Sequence, residues 1–201
     1  MSATDTIPTT RERLLHAARH VIEEGGYRSA SVLVIAERAG VAAGTLYRHF
    51  ASKEELFVEV FRDVCDGEVK AMREAAAAMP ASATAVDRLT VVLQTFAERA
   101  LRNRQLAWAL IAEPVDPLVD EERLAYRAKY ASMAAKLLRE AIRAGEVPEQ
   151  DPKLTAAALV GGCGEALVGP LSPFGSRRPK TDHVIEALRT FVRRAVGASV
   201  S

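Results

Sequence analysis

Residues 31–57, SVLVIAERAGVAAGTLYRHFASKEELF, hold two short apolar segments joined at Ala39-Gly40-Val41 and followed at once by a serine-led helix start. In the first segment, from Ser31 to Ala39, Val32, Ile35, Ala36 and Ala39 recur at helical spacing and share one face. Gly40 lets the chain reverse, and a second short helix is predicted over Ala43 to Phe50. Two helices joined by a tight glycine turn form a helix-turn-helix, whose second helix can enter the major groove of DNA. Ala42, Ala43 and Gly44 are small enough for close approach, and Thr45 offers a hydroxyl and a methyl group to base edges. Tyr47, Arg48, His49 and Lys53 supply donors for phosphate oxygens, which position a protein without reading sequence. An αα-hairpin packed as plain core uses the same turn, so the spacing alone leaves both readings open.

The helical period extends outward in both directions, and strand alternation is hard to find, so an all-α fold of about nine helices is expected. Upstream, Thr9 and Glu12 form a capping box, Leu14, Ala17, Ala18, Val21 and Ile22 repeat as an apolar stripe, and Gly25-Gly26 ends the helix. Downstream, Ser52 and Glu55 form another box and open a long connector that runs to Pro80. Ser82 or Thr84 caps the next helix, to about Arg102, and a short one follows to Glu113. Asp116-Pro117 and Asp151-Pro152 each place a capping carboxylate before a proline, predicting helices to about Ala144 and Leu167. The Pro- and Gly-rich stretch GPLSPFGSRRPKTD is the one long loop, before a last helix from about Thr181 to Val196.

Composition narrows the function classes. The chain has 201 residues, 49% of them hydrophobic, with no uninterrupted apolar run of membrane-spanning length. Its start is polar where an export signal would be apolar, so a cytoplasmic location without membrane contact is expected. Residues 1–62 carry eight Lys/Arg and eight Asp/Glu, so any nucleic-acid site there rests on placement rather than bulk charge. Cys65 and Cys163 lie in apolar helical contexts and read as buried thiols. His16 and His20 share a helix face, but no third ligand or glutamate accompanies them, and a solvated face is the better reading than a metal. With no nucleophile, base and orienting group assembled, and no phosphate loop, neither an enzyme nor a cofactor is expected.

SVLVIAERAGVAAGTLYRHFASKEELF resembles the signature of tetracycline-repressor (TetR) family transcription regulators, in order and spacing, with the motif covering residues 9–57. The resemblance implies a helix-turn-helix domain over 1–51, and an effector-binding and dimerisation domain over 52–201. It places base contacts on Ala43, Gly44, Thr45 and Tyr47 and phosphate contacts on Ser31, His49 and Lys53. Leu33 and Val34 depart from the family pattern, where relatives show polar residues, which weakens the case for a phosphate contact from that face.

The resemblance further implies an effector cavity in the region of Phe61, Phe96, Trp108 and Leu110, with Tyr126, Tyr130 and Met133. Glu113, Arg127 or Glu165 would supply its polar groups, and a largely hydrophobic small molecule would suit it. The segment LTAAALVGGCGEALVGPL carries Ala156, Ala157, Gly161, Gly162 and Gly164, an expensive composition for a helix interior unless another helix approaches closely. With the stripe Leu188, Phe191, Val192 and Ala195, it is expected to form a homodimer face, a four-helix bundle with its copy. The reading is a ligand-responsive repressor on a pseudo-palindromic double-stranded operator, released by its effector. Its rival is a helical enzyme or ligand carrier whose N-terminal hairpin is scaffold.

Overall fold

Helix starts are decided by short polar side chains that satisfy the N–H groups an α-helix leaves unpaired. In the computed structural model, which describes residues 8–175 and 178–198, nine helices and no strand occur among the described residues. They are α1 (Thr10–Ser29), α2 (Val32–Arg38), α3 (Ala43–Leu46), α4 (Lys53–Ala77), α5 (Ala85–Arg102), α6 (Arg104–Ile111), α7 (Pro117–Arg143), α8 (Pro152–Leu171) and α9 (Thr181–Ala195). The polar start of the chain, residues 1–7, and positions 176–177 of the long loop lie outside the described residues.

Thr9 and Glu12 close a full capping box, and Thr84, not Ser82, closes a second one with Asp87. Asp116 and Asp151 cap α7 and α8, each followed by proline. The Ser52 box is only half formed: Ser52 Oγ accepts from Glu55 N at 3.1 Å, while the Glu55 carboxylate accepts from Ala51 N instead.

Three boundaries differ from the sequence reading. The first helix does not stop at Gly26; it kinks there, at φ 78° and ψ 179°, and takes one more turn to Ser29. The regular part of α3 is a single turn, and residues 47–50 follow in tight turns, with Arg48 N on Thr45 O at 3.2 Å and His49 N on Leu46 O at 3.0 Å. Helix α8 runs past Leu167 to Leu171 and carries Pro170 in its last turn, giving up one hydrogen bond to the carbonyl four residues earlier.

Two apolar clusters organise the packing. One joins α1, α2, α3 and the first half of α4 through Leu14, Ile22, Ile35, Leu46, Phe50 and Phe57, and reaches Leu106, Leu110 and Tyr126 on α6 and α7. The other joins α5, α7, α8 and α9 through Leu89, Ala97, Leu138, Leu159 and Leu167. Helix α4 packs against α1 on one side and α5 and α7 on the other, and α6 against α1 and α8, so both touch the N-terminal helix and the larger body.

Asp87 ties the second cluster together at its edge, accepting from Thr84 N at 3.1 Å and from Arg193 Nη1 of α9 at 2.7 Å. The Arg193 guanidinium, then the Thr84 hydrogen bonds, hold its carboxyl below the usual aspartate range. A depressed carboxyl contributes stability above its unfolded pKa and loses it as pH falls through the folded value. Asp87→Asn is expected to cost about 1 kcal/mol at pH 7, roughly 2–4 °C in Tm for a chain of this size, with the difference from wild type shrinking as pH falls below the ordinary aspartate value of about 3.9. Thermal melts of both proteins across pH 3–7 measure it; an equal Tm gap at both ends would show that the charge contributes nothing.

Candidate nucleic-acid interface and ligand cavity

The turn from α2 to α3 is built around Gly40, at φ 65°, a conformation that side-chain-bearing residues rarely adopt. Arg13 of α1 fixes it from behind, donating to Ala39 O and to Gly40 O. Ile35, Ala36, Ala39 and Leu46 are buried, as their spacing predicts, and Val32 packs half-buried against them. That leaves Gly44, Tyr47, Arg48 and His49 exposed on one outer surface, with Ala43 and Thr45 half-buried at its base. Tyr47 is 57% exposed, unusual for a large aromatic. Arg48 and His49 make no ion pair among the described residues. By contrast Arg38 is spent on Glu24, at 2.6 and 2.7 Å.

Two of the sequence-predicted contacts have second duties. Ser31 Oγ accepts from Val34 N at 3.3 Å and so caps α2, leaving its own proton free to donate outward. Lys53 places its ammonium 4.1 Å from the centroid of the Tyr27 ring. Leu33 and Val34 are exposed beside α3, so this face offers apolar surface where a phosphate contact would need a donor.

The larger body encloses a cavity of about 280 Å³ between α4, α5, α6, α7 and α8. Of the expected residues, Phe61, Phe96, Leu110, Tyr126 and Tyr130 line it, with Arg127 at the wall. Trp108 does not: it lies half-buried with its ring edge-on to Phe174, 6.1 Å between centroids, on the side of α6 turned to the second cluster. Met133 does not either, and packs against the first cluster. The sequence reading missed Arg19, Arg99, Arg102 and Arg123, four guanidinium groups that lie on three helices and join Arg127 around the cavity. Arg99 pairs with Glu68 at 2.6 Å, whereas Arg102 and Arg127 are exposed and carry no ion pair among the described residues. Both cysteines face the cavity as buried thiols, and burial pushes them up, Cys65 to about 12 and Cys163 to about 11, so neither is a nucleophile.

Glu113, expected in the cavity, is elsewhere. Its carboxylate is 6% exposed and accepts from Tyr27 N at 2.9 Å and Arg28 N at 3.3 Å, closing the turn that Gly26 opens in α1. A Cβ on Gly26 would lie 2.8 Å from Gln105 and 3.0 Å from that carboxylate. The C-terminal end of α6 that carries Glu113 is held by Arg123 of α7, which donates to Leu110 O at 2.8 Å, Ala109 O at 3.0 Å and Glu113 O at 2.7 Å. Arg123 also lines the cavity, so one side chain joins the cavity wall to the support of the hairpin. Glu165 lies on the outer face of α8, away from the cavity lining.

The expected dimer stripe divides. Ala157 and Gly161 of α8 and Phe191 and Ala195 of α9 are exposed, and Gly162 is half-buried because its hydrogen faces the Phe191 ring. Leu188 and Val192 are buried in the second cluster and belong to the chain's own core, since α9 turns that edge of its stripe inward against α5.

An exposed second helix behind a glycine turn, on an all-helical body with an internal cavity, defines a helix-turn-helix protein with a ligand site. The profile described as "Bacterial regulatory proteins, tetR family" matches residues 14–60, and "Tetracyclin repressor-like, C-terminal domain" matches 82–167, together about two thirds of the chain. The chain is 28% identical over 163 residues, 77% of its length and 80% of the relative's, to the "Fatty acid metabolism regulator protein" of Bacillus subtilis. It is 30% identical over 135 residues, 67% of its length and 64% of the relative's, to the "HTH-type transcriptional repressor KstR2" of Rhodococcus jostii. Its fold matches the crystal structure of FadR from Bacillus subtilis in complex with stearoyl-CoA, at a TM-score of 0.75 and 22% identity over 94% of this chain and 98% of that one. The chain belongs to the TetR family and is a ligand-responsive, DNA-binding transcriptional regulator.

Counterion release ties each phosphate contact to the salt dependence of DNA binding. Lys53→Ala is expected to weaken operator binding and flatten the log-log salt slope by about one unit, while Thr45→Ala changes base preference at an unchanged slope. Mobility shifts at several salt concentrations separate the two; an unaltered slope for Lys53→Ala would leave its ammonium on Tyr27 in the complex.

Proposed function

We propose that a homodimer of this chain represses transcription from a pseudo-palindromic operator in the cytoplasm and lets go when an acyl amphiphile, such as an acyl thioester, occupies the cavity. The proposed division of labour is residues 1–51 for DNA and 52–201 for effector and dimerisation. Base contacts fall on Ala43, Gly44, Thr45 and Tyr47, and phosphate contacts on Ser31, Arg48, His49 and Lys53.

The observation that carries the effector reading is the cavity's composition: aromatic and aliphatic walls bordered by arginines, two of them without a carboxylate partner among the described residues. Apolar walls take an alkyl chain, and unpaired guanidinium groups at the rim take a carboxylate or phosphate. The Bacillus subtilis protein crystallised with stearoyl-CoA supports the same class.

Dimerisation rests on α8. Its hydropathy is that of a membrane span, yet only 28% of that window is buried within the chain, and from Ala157 onward its exposed positions are Gly and Ala apart from Glu165, with Lys153 and Leu154 exposed at its start. A small-residue face favours close packing of a second helix, and two half-sites need two linked reading heads.

Titrating operator-bound protein with acyl-CoA thioesters of six to eighteen carbons tests the effector reading. Release is expected at one or more of these lengths, and no release at any length rejects the acyl class. For the dimer, Gly161→Leu is the clean variant, because a Cβ at Gly161 meets nothing within 4 Å in its own chain, whereas one at Gly162 meets Phe191 at 3.0 Å. Gly161→Leu is expected to sediment as a folded monomer with weakened operator binding; a wild-type dimer would move the interface elsewhere.

A further inference from the structure

Between Ala157 and Gly169, Glu165 is the only charged residue of α8; it is exposed and has no ion pair or hydrogen bond among the described residues. It stands one helical turn beyond Gly161 on the same face, so the surface open to a second helix also carries an unpaired carboxylate. On α9, Arg194 shares a shallow groove with Ala187, Thr190 and Phe191, and it too has no partner among the described residues. Helices α8 and α9 run antiparallel. Gln150, just before α8, donates to Val196 O at the end of α9 at 3.0 Å, and at the other end Arg104 donates to Pro170 O at 2.7 Å and Thr181 Oγ1 at 3.3 Å. Gly162 and Phe191 mark a common level, since a Cβ on that glycine would lie 3.0 Å from the ring. From that level Glu165 lies three residues along α8 and Arg194 three residues along α9, about 4.5 Å in opposite directions.

We infer that Glu165 forms an ion pair with Arg194 of the partner subunit, made twice across the homodimer face, and that this pair sets the register of the dimer and selects a second copy of this chain. The inference rests on the proposed dimer and adds to it a register and two named charges. A two-fold axis at the level of Gly162 and Phe191 carries Arg194 of the partner subunit from about 4.5 Å on one side of that level to about 4.5 Å on the other, opposite Glu165. The same operation sets Ala187 of the partner subunit against Ala158, small residue against small residue. The other ionisable groups of the groove do not compete: Glu186 is paired with Arg189 at 3.7 Å, and His183, about 12 Å along α9 from Phe191, is carried to the level of Leu154. A carboxylate covered by a second apolar helix needs a cation in place of the water it loses, so dimers out of register, and partners without the arginine, are disfavoured.

Charge reversal at the two positions tests the pair. In sedimentation of the full-length chain the wild type is expected to be a dimer, and Glu165→Arg and Arg194→Glu are each expected to self-associate about tenfold or more weakly, because each homodimer then holds two like-charged contacts. Both side chains are exposed in the single chain, so each variant is expected to keep the wild type's helical circular dichroism. Mixing the two variants in equal amounts is expected to restore dimers of wild-type strength, since the mixed dimer has opposite charges at both contacts. Only a pair between subunits is restored by mixing; a pair within one chain, or a folding defect, is not. Unchanged self-association of the variants, or no recovery on mixing, overturns this inference and leaves the dimer standing. A wild type that sediments as a monomer overturns the inference together with the dimer reading beneath it.

Discussion

A carboxylate is tolerated in a protein interior only where hydrogen bonds or positive charge replace the water it has lost. Glu113 meets that condition with the amides of Tyr27 and Arg28, and it reaches them because Gly26 turns the chain with a positive φ that exposes both N–H groups together. The constraint works in both directions. Without Gly26 the backbone would not present the amides, and without Glu113 the last turn of α1 would begin with buried donors and no acceptor. Arg123 completes the arrangement from α7, capping the carbonyl end of α6 where the helix dipole is negative. The last turn of α1, which leads into the hairpin, is thereby seated on the end of α6, and the end of α6 on a residue of the cavity wall.

That seating offers a route for coupling under the proposed function. A ligand lowers DNA affinity only if it binds better to a conformation in which the reading heads are wrongly spaced, and linkage makes the penalty reciprocal. Helix α4 begins one residue after Ser52, beside the hairpin, and carries Phe61, Val64, Cys65 and Met72 of the cavity along its length. Helix α6 carries Leu106, Ala107 and Leu110 of the same cavity and ends at the Glu113 contact. Two rigid elements therefore run from the ligand site to the hairpin. An effector slightly larger than the resting cavity pushes on both, and packed helices respond by shifting as bodies rather than by compressing.

Local chemistry was legible in the sequence, and long-range partnership was not. Thr9, Thr84, Asp116 and Asp151 cap helices where the residue order says they should, because a cap is decided within four residues. The helix-turn-helix was legible for the same reason, its glycine and inward face lying within one short stretch. Leu188 and Val192 show the limit: a stripe at helical spacing says that a face is covered, but not whether the chain itself or a second copy covers it. Trp108 failed in the same way, being one residue off the face of α6 that lines the cavity. The arginines around the cavity were invisible because they come from α1, α5 and α7, far apart in sequence and ordinary one by one. Glu113 could have been found from its position at a helix end, where a carboxylate opposes the dipole and needs a compensating partner.

Where the chain breaks the rules that suit folding alone, the breaches fall where the proposed function needs them. Glycines inside α8 weaken that helix, yet Gly161 and its neighbours leave a flat surface that a second helix can approach. Tyr47 is an aromatic held in solvent at the head of the hairpin, a placement that DNA turns into a contact. Tyr130 is a buried hydroxyl with no partner better than the Cys65 thiol among the described residues, on a residue of the cavity wall. Each is unfavourable in the isolated chain and lies where the proposed function places a different partner: a second copy, DNA, or a ligand. Sequences that satisfy local propensity nearly everywhere concentrate their exceptions at binding sites, since a group already satisfied within the chain has little left to offer another molecule. The three exceptions lie on separate surfaces, so the three partners can be bound together, and that simultaneous binding is what allows one of them to alter the affinity for another.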